Sequence, residues 1–243
     1  MDIKHLLIQS KDRISGTASD FVIQVPPMNR VREVNLVSAS VPNTIYNITA
    51  INSAIYWNAG SGPLSATIDP GAYSVTALTI ALTTAMIAAD ANEYSVSYNS
   101  TTMKIRIGCD ISISLTCSNT TNAIWDVIGF LAADRVPAAS HTADNVLQLD
   151  FPAYLMVGIN ELASARAVST SGYRGNFIIP MTVNSQYLEL YNHKSSYDID
   201  SEYSAGVTLS RLSIRLQNPD GEEISLNGGE WSCLLLVCYC GCH

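Results

Sequence analysis

Five residues near the C-terminal end of the sequence carry the side chains best suited to metal chemistry: Cys233, Cys238, Cys240, Cys242 and His243. Thiolate and imidazole are ligands that zinc prefers in proteins. Residues 238, 240 and 242 continue an alternating strand, however, and neighbours on one strand face lie about 7 Å apart. One tetrahedral ion cannot easily bind three such side chains. We therefore predict no metal and no other cofactor. The state of these thiols stays open between free, disulfide-bonded between subunits and metal-bound.

A second candidate is the acidic cluster formed by Asp198, Asp200 and Glu202, which resembles the beginning of a calcium-binding loop. Such a loop needs glycine at its sixth position and a bidentate glutamate at its twelfth. Tyr203 and Leu209 stand at those two positions. We interpret the cluster as a solvent-exposed loop, and the acidic segment 219–223 as a turn between strands.

Catalytic motifs are missing from the sequence. It has no Gly-x-Ser-x-Gly turn, no His-Glu-x-x-His motif and no glycine-rich phosphate loop ahead of a helix. None of the histidines stands beside a Ser or Cys nucleophile in an identifiable arrangement; they are His5, His141, His193 and His243. We predict that the protein is not an enzyme and that it has no catalytic residues.

Charge is scarce in this chain of 243 residues. Charged residues make up 14%, against roughly 25% in an average soluble protein, and hydrophobic residues make up 47%. This composition excludes intrinsic disorder and coiled coil, and it predicts burial of surface against other copies or partners. The net charge is −8, and the 13 Lys and Arg residues are scattered singly. Direct binding of nucleic acid is therefore not expected, because it depends on clustered basic residues.

No export or membrane signal is recognisable in the sequence as given. The first eight residues contain too short an apolar run for a signal peptide, and position 2 is an acid. The longest apolar run, residues 233–240, is far below the roughly 20 residues of a membrane helix. We therefore expect an intracellular protein with reduced thiols and no membrane span.

Alternation of apolar and polar residues predicts short strands along most of the chain. Residues 21–25 form a strand that Pro26 and Pro27 should end. Residues 31–40 alternate imperfectly, which we attribute to burial on parts of both faces. Two alternating runs flank the polar turn 99–102 and form the clearest hairpin. The hairpin strands are 94–98 and 103–107, and further strands are predicted at 111–115, 155–159, 177–179, 187–190, 212–216 and 231–239.

One segment, residues 74–89, has helical periodicity instead. It places Leu78, Leu82 and Met86 on one stripe, and Ser74 precedes it as an N-cap. A shorter helix is predicted at 122–128, ended by Gly129 in a left-handed conformation. We expect both helices to cover the end or edge of a sheet.

Many short strands, few helices and this chain length are typical of antiparallel sandwiches. We predict an all-β fold: a single antiparallel eight-stranded jelly-roll sandwich with one or two short accessory helices. Residues 1–10 form an N-terminal arm, and residues 11–243 form the single jelly-roll domain. Residues 164–172 are a long loop within that domain.

Several short phrases occur in an order and spacing that resemble one protein family. It is the family of single jelly-roll penton (minor capsid) proteins of large eukaryotic double-stranded DNA viruses and virophages. The phrases are SKDR at 10–13, DF at 20–21, VPNTIYN at 41–47, IDPGAY at 68–73, YN at 98–99, IGF at 128–130, RL at 215–216, DG at 220–221, NG at 227–228 and Trp231. They cover nearly the whole chain, and only the Cys-rich end departs from the family pattern.

The resemblance implies a structural capsid protein of the virion, with no catalytic residues. Five copies would form a homopentamer at an icosahedral vertex, between trimers of a double jelly-roll major capsid protein and beside other minor capsid proteins. Assembly would take place in the cytoplasm of the infected cell. We further predict that residues 1–10 reach a neighbouring subunit or a capsid protein. The loops 58–62 and 169–175 are candidates for the five-fold axis, and which of them faces it stays open.

Two alternatives accompany this interpretation. The chain is another minor capsid or spike-base jelly roll, or it is a soluble carbohydrate-binding or enzymatic β-sandwich. Position in the particle separates the first alternative from a vertex protein. Assembly state and sugar binding separate the second.

Overall fold

Antiparallel strands make up most of the computed structural model, which describes residues 2–149, 151–162, 167–172, 174–182, 188–192 and 201–239. The predicted all-β class with two accessory helices is confirmed, and the antiparallel sheets are consistent with a jelly roll. The chain divides into two compact units. Unit 1 comprises Met1–Ile45 and Pro152–His243, and unit 2 comprises Tyr46–Phe151. One domain over residues 11–243 stays a prediction.

The elements are numbered in chain order, with a 3₁₀ turn at Ser10–Asp12. They are β1 (Asp2–Gln9), β2 (Ser15–Gly16), β3 (Asp20–Pro42), β4 (Ala54–Asn58), β5 (Pro63–Thr67), α1 (Val75–Ala89), β6 (Tyr94–Asn99), β7 (Lys104–Leu115), α2 (Trp125–Ile128), β8 (Arg135–Thr142), β9 (Tyr154–Ile159), β10 (Ala167–Val168), β11 (Arg174–Gly175), β12 (Phe177–Pro180), β13 (Leu188–Asn192), β14 (Ser201–Gln217) and β15 (Ser232–Tyr239).

Unit 1 contains an eight-stranded sheet in the order β1-β15-β3-β14-β9-β12, with β13 and β2 also paired to β3. Strands β10 and β11 form a separate two-stranded ribbon. The residues of the predicted N-terminal arm lie in β1, which pairs with β15 of the same chain along its whole length. Contact of these residues with a neighbouring subunit stays a prediction.

Strand β3 runs through Pro26 and Pro27, so the predicted strand end at these prolines is wrong. Gln24 of β3 pairs with Arg211 of β14, and Met28 pairs with Leu209. Four residues of β3 therefore correspond to only two residues of β14. Proline has no backbone N–H, and a strand tolerates it where the ladder is interrupted. The irregular pairing therefore lets one strand continue past both prolines.

Two bulges, at Arg32 and Val37, explain the imperfect alternation of residues 31–40. Each is an extra residue of β3, because the residues on either side of it pair with consecutive residues of β15. A bulge shifts the side-chain alternation by one position. Leu36 and Ala39 are therefore both buried although they lie three positions apart. Bulges, rather than burial on both faces, interrupt the pattern.

The core of unit 1 contains aromatic and aliphatic side chains from most strands of its sheet. Phe21 packs edge to face against Trp231, with ring centroids 6.1 Å apart. The Trp231 Nε1–H donates to the Ala18 carbonyl at 2.7 Å, so the indole nitrogen keeps a partner. Buried aliphatic side chains include Ile8, Ile23, Val34, Leu36, Val157, Ile179, Leu212, Ile214, Leu216, Leu235 and Val237.

Unit 2 has a five-stranded sheet in the order β5-β4-β7-β6, with β8 also paired to β7. Its largest buried side chain is Trp57, which belongs to one cluster with Leu78, Leu82 and Met86 of α1. The Trp57 Nε1–H donates to the Tyr94 hydroxyl at 2.8 Å. Burial is the main reason why the pKa of Tyr94 is raised.

Most local sequence signals of unit 2 are confirmed, although α2 begins at Trp125 rather than at the predicted residue 122. The Ser74 hydroxyl caps α1 by accepting from the Ala77 N–H at 3.2 Å. Helix α2 ends at Gly129, which has φ +82° in the left-handed region. The predicted hairpin is β6 with the first half of β7, and the Asn99 side chain accepts from two backbone N–H groups in its turn.

Replacement of Ser74 by alanine should lower the free energy of unfolding by about 1 kcal/mol, because the first turn of α1 loses its cap. Urea denaturation measures the change. Thr76→Ala is the matched control on the exposed face of the same turn and should be neutral or slightly stabilising, since alanine has the higher helix propensity. Equal losses in both variants would contradict the capping role.

Gly129→Ala should destabilise the protein more than Gly228→Ala, although both glycines have nearly the same positive φ, +82° and +85°. Each alanine meets a backbone cost of about 1–2 kcal/mol. A Cβ at Gly129 would also lie 2.4 Å from the Asn145 carbonyl oxygen, whereas nothing lies within 4 Å at Gly228. We expect a further loss of about 1–3 kcal/mol at Gly129 in urea denaturation. Equal losses would show that the close approach is relieved without cost.

Candidate interaction surfaces

The predicted thiol group is only partly within the described residues. Cys233 and Cys238 lie on β15 and are buried free thiols. Burial raises the pKa of Cys233 to about 12, which makes its thiolate scarce and the thiol unreactive. Burial also raises the pKa of Cys238, with a smaller contribution from Glu33. Residues 240–243 lie outside the described residues.

Other residues from the sequence predictions are scattered. Within the described ranges, no three His, Cys, Asp or Glu side chains form a group that could hold a metal ion. His141 is buried, and its Nε2 lies 2.7 Å from the Ile113 carbonyl oxygen. His5 lies on β1, whereas His193 and the acids at 198 and 200 fall outside the described residues. No described helix is long and apolar enough to cross a membrane.

The edge strand β1 presents an apolar face to solvent. Ile3 is 62% exposed and Leu7 is 58% exposed, while Ile8 on the opposite face is buried. In a strand, residues 3, 5 and 7 point to one side, so His5 lies between the two aliphatic side chains. No strand pairs with the outer edge of β1 among the described residues. This strand therefore offers both apolar side chains and backbone hydrogen-bonding groups.

An apolar cleft of about 400 Å³ opens at the other end of the same sheet. Tyr154 of β9 and Ile178 of β12 line it and are 53% and 43% exposed. The rest of the lining includes Met156, Val168 and Pro219. The Ser171 hydroxyl donates to the Pro219 carbonyl at 2.9 Å and so ties two loops together at this rim. We call this feature the β12 cleft.

Helix α1 contains no charged residue. Leu78, Leu82 and Met86 are buried, yet Ile80 on the opposite side is 61% exposed and Ile87 is exposed as well. Thr76 and Thr84 share this exposed side with the two isoleucines, so it is uncharged and partly apolar. The exposed side of α1 is therefore a second candidate contact surface, and it lies in unit 2.

A polar cleft of about 450 Å³ lies on the sheet of unit 2. Arg106 donates from Nη2 to the Ser140 hydroxyl at 2.8 Å, and Glu93, Ser95 and Ser97 also line the cleft. Its donors and acceptors suit a hydroxylated or charged ligand rather than an apolar one.

A polar network joins the segment after β1 to the segment before β15. The Trp231 N–H donates to the Ser10 hydroxyl at 2.9 Å, and that hydroxyl donates to the Glu230 carboxylate. Arg13 Nη1 donates to both oxygens of that carboxylate at 2.8 and 2.9 Å. The Ser10 and Arg13 hydrogen bonds lower the pKa of Glu230. The network fixes the chain between β1 and β3 against the start of β15.

The two loops predicted for a five-fold axis belong to different units. Residues 58–62 connect β4 and β5, and Asn58 Oδ1 accepts from the Gly60 N–H at 2.8 Å. Residues 169–175 follow β10, and the last two of them form β11. Which of them lies at an axis stays a prediction.

Sequence reasoning identified the apolar N-terminal segment but missed the β12 cleft and the exposed side of α1. The cleft combines residues from four separate segments of the chain, so no local pattern marks it. For α1 a usable signal exists, namely the absence of any charge in fifteen consecutive helical residues.

Comparison with known proteins gives only remote similarity. No protein-family model matches the chain. No curated protein matches it. The crystal structure of the mavirus penton protein aligns with 98% of this chain and 100% of its own, at 12% identity and a TM-score of 0.49. A chain in the cryo-EM structure of the Sputnik virophage aligns with 98% of this chain and 97% of its own, at 12% identity and a TM-score of 0.48. The mavirus protein is of the class that the sequence phrases resemble, but at these values neither likeness is evidence about function.

The Glu230 network predicts a pH dependence of stability. Because the folded-state pKa of Glu230 is lowered, its stabilisation is complete above the ordinary pKa of about 4.3 and is lost as the pH falls through the folded value. Glu230→Gln should cost up to about 1 kcal/mol at pH 7, since the group is partly exposed. The difference between wild type and variant should shrink below about pH 4.3 in urea denaturation.

The double-mutant cycle with Arg13→Gln is the control for this prediction. In the Arg13→Gln background, Glu230→Gln should cost less at pH 7, because one of the two groups that lower the pKa is gone. A difference between wild type and Glu230→Gln that stays constant from pH 7 to pH 3 would contradict the role of the ionised carboxylate.

Proposed function

We propose that this protein is a structural capsid protein that forms the pentameric vertex (penton) of an icosahedral double-stranded DNA virus particle. The observation that carries the proposal is exposed apolar surface: β1, α1 and the β12 cleft each leave apolar side chains in solvent. Apolar surface of this kind marks contact sites with other proteins. The chain has the composition of a subunit that completes its burial on assembly.

Obligate interfaces are more hydrophobic than the rest of a protein surface, and their core is depleted in charge. A chain with 14% charged residues has little charge to desolvate when its flanks meet another subunit. Contact surfaces occur in both units, which suits a subunit with several neighbours better than a protein that binds one ligand.

The choice of the vertex rests on the sequence phrases, which follow the order of the penton family from residue 10 to residue 231. Five copies around an axis use heterologous contacts, in which one flank of a subunit meets the opposite flank of the next. The proposed partners are four further copies, trimers of a double jelly-roll major capsid protein and other minor capsid proteins. The proposed location is the capsid vertex of the virion, after assembly in the cytoplasm of the infected cell, and the role is structural rather than enzymatic.

One observation favours a second candidate function, binding of carbohydrate. The polar cleft of unit 2 contains a guanidinium, two carboxylates and three serine hydroxyl groups that could hydrogen-bond to a sugar. This cleft is also compatible with a vertex protein that binds a glycan. Only the position of the protein in the particle and its copy number therefore distinguish the two functions.

The copy number tests the proposal. Quantitative mass spectrometry of purified particles, normalised to the major capsid protein, should give five copies per vertex. A map of the vertex should show the chain around the five-fold axis. Copy numbers that match the faces of the shell would contradict the vertex assignment. Binding of the free protein to glycans without particle association would support the second candidate instead.

A further inference from the structure

We propose that the outer edge of β1 from one copy pairs with the outer edge of β12 in the next copy, with Ile3 and Leu7 covering the β12 cleft. This inference rests on the proposed function in one respect, the closed ring of identical subunits. It specifies which surfaces of unit 1 meet in that ring.

The two strands are the ends of the strand order β1-β15-β3-β14-β9-β12, from which β2 and β13 branch at β3. Strand β1 pairs only with β15, and β12 pairs only with β9, within the described part of unit 1. Each outer edge therefore offers backbone N–H and C=O groups to an added strand. Pro180 has no N–H, so the segment of β12 that can donate is Phe177–Ile179 and its immediate flanks.

The same chain cannot make this contact with itself. From β1 to β12 the sheet order takes five steps, or about 24 Å at roughly 4.8 Å per step. The partner of each edge must then be another copy, and contacts between opposite edges are the heterologous type that closes into rings.

Apolar side chains match across the proposed contact. Ile3 and Leu7 project from the exposed face of β1, and the β12 cleft has exposed Tyr154 and Ile178 on its wall. The cleft volume of about 400 Å³ lies within the range of sites that bury an apolar group. Burial of both aliphatic side chains would remove the largest exposed apolar surface from each edge.

Charge favours the same pair of edges. Lys4 and His5 lie on β1, between and beside the two aliphatic side chains. Pro219 lines the β12 cleft and begins the turn that contains the exposed acids Asp220 and Glu222. Asp2 on the same strand cancels the charge of Lys4 at pH 7, so the attraction is a local one between Lys4 and this acidic turn rather than one between oppositely charged strands.

Cross-linking tests the contact directly. Two double variants, Leu7→Cys with Ile178→Cys and Ile3→Cys with Ile178→Cys, are assembled from a mixture of ¹⁵N-labelled and unlabelled chains and treated with a short bismaleimide. We expect linked peptides that join β1 to β12 and combine one labelled with one unlabelled segment. The single-cysteine variants are the controls for reaction at native thiols.

A charge placed in the contact gives a second readout. Leu7→Glu should abolish the oligomer in native mass spectrometry while leaving the far-ultraviolet circular dichroism unchanged. Val136→Glu, which alters an exposed apolar residue of unit 2, is the matched control and should leave the oligomer intact. Equal losses in both variants would overturn the specific contact.

The outcomes separate this inference from the proposed function. Particles with five copies per vertex that give no β1–β12 linked peptide would overturn the contact and leave the vertex role standing. A protein that is monomeric, unlinked and absent from the vertex would overturn both.

Discussion

Strand β3 is the constraint on which unit 1 depends, because β2, β13, β14 and β15 all pair with it. A strand of 23 residues must provide backbone partners on both sides, and a buried backbone group without a partner is costly. Regular pairing over that length would twist the sheet continuously and would leave no room for Pro26 and Pro27. The bulges and the irregular pairing at the prolines divide β3 into segments that serve different neighbours. The positions of β14 and β15, and through them β1 and β9, follow from these interruptions.

The elements that the sequence predicted correctly have local causes. Ser74 caps α1, Gly129 ends α2, and the polar turn after Tyr98 closes the hairpin; each needs only residues within a few positions. The failures arise from distant partners. Whether Pro26 and Pro27 end a strand depends on β14, nearly two hundred residues later, and whether Val37 is a bulge depends on β15. The periodicity of one strand does not contain this information, because a bulge residue is extra only relative to the strand that pairs with it.

The candidate contact surfaces also divide into those that a local stretch of sequence marks and those that it does not. The apolar residues of β1 are contiguous in the sequence, so reasoning from the sequence could single them out, and their contact with a neighbour stays a prediction. The β12 cleft is assembled from β9, residues 168–170, β12 and the turn at Pro219, and none of these segments is unusual alone. The apolar outer side of α1 was hidden for another reason, since in a chain with so few charges an uncharged helix does not stand out. Low charge predicts assembly but conceals where the contacts lie.

A sheet with open edges, such as those of β1 and β12 at the two ends of the described strand order, has two possible fates in a protein that self-associates. If each edge accepts the edge of any other copy, the contact repeats without limit and produces fibres, as heterologous contacts do when the rotation does not close. Several features of unit 1 oppose this outcome. Strand β12 is short and ends in proline, and strand β1 carries the exposed charged residues Asp2 and Lys4. Short edges and charges are the devices by which proteins restrict strand pairing. An apolar edge whose strand pairing is restricted in this way suits a single contact with each neighbouring copy. A closed ring requires one such contact between each pair of neighbours.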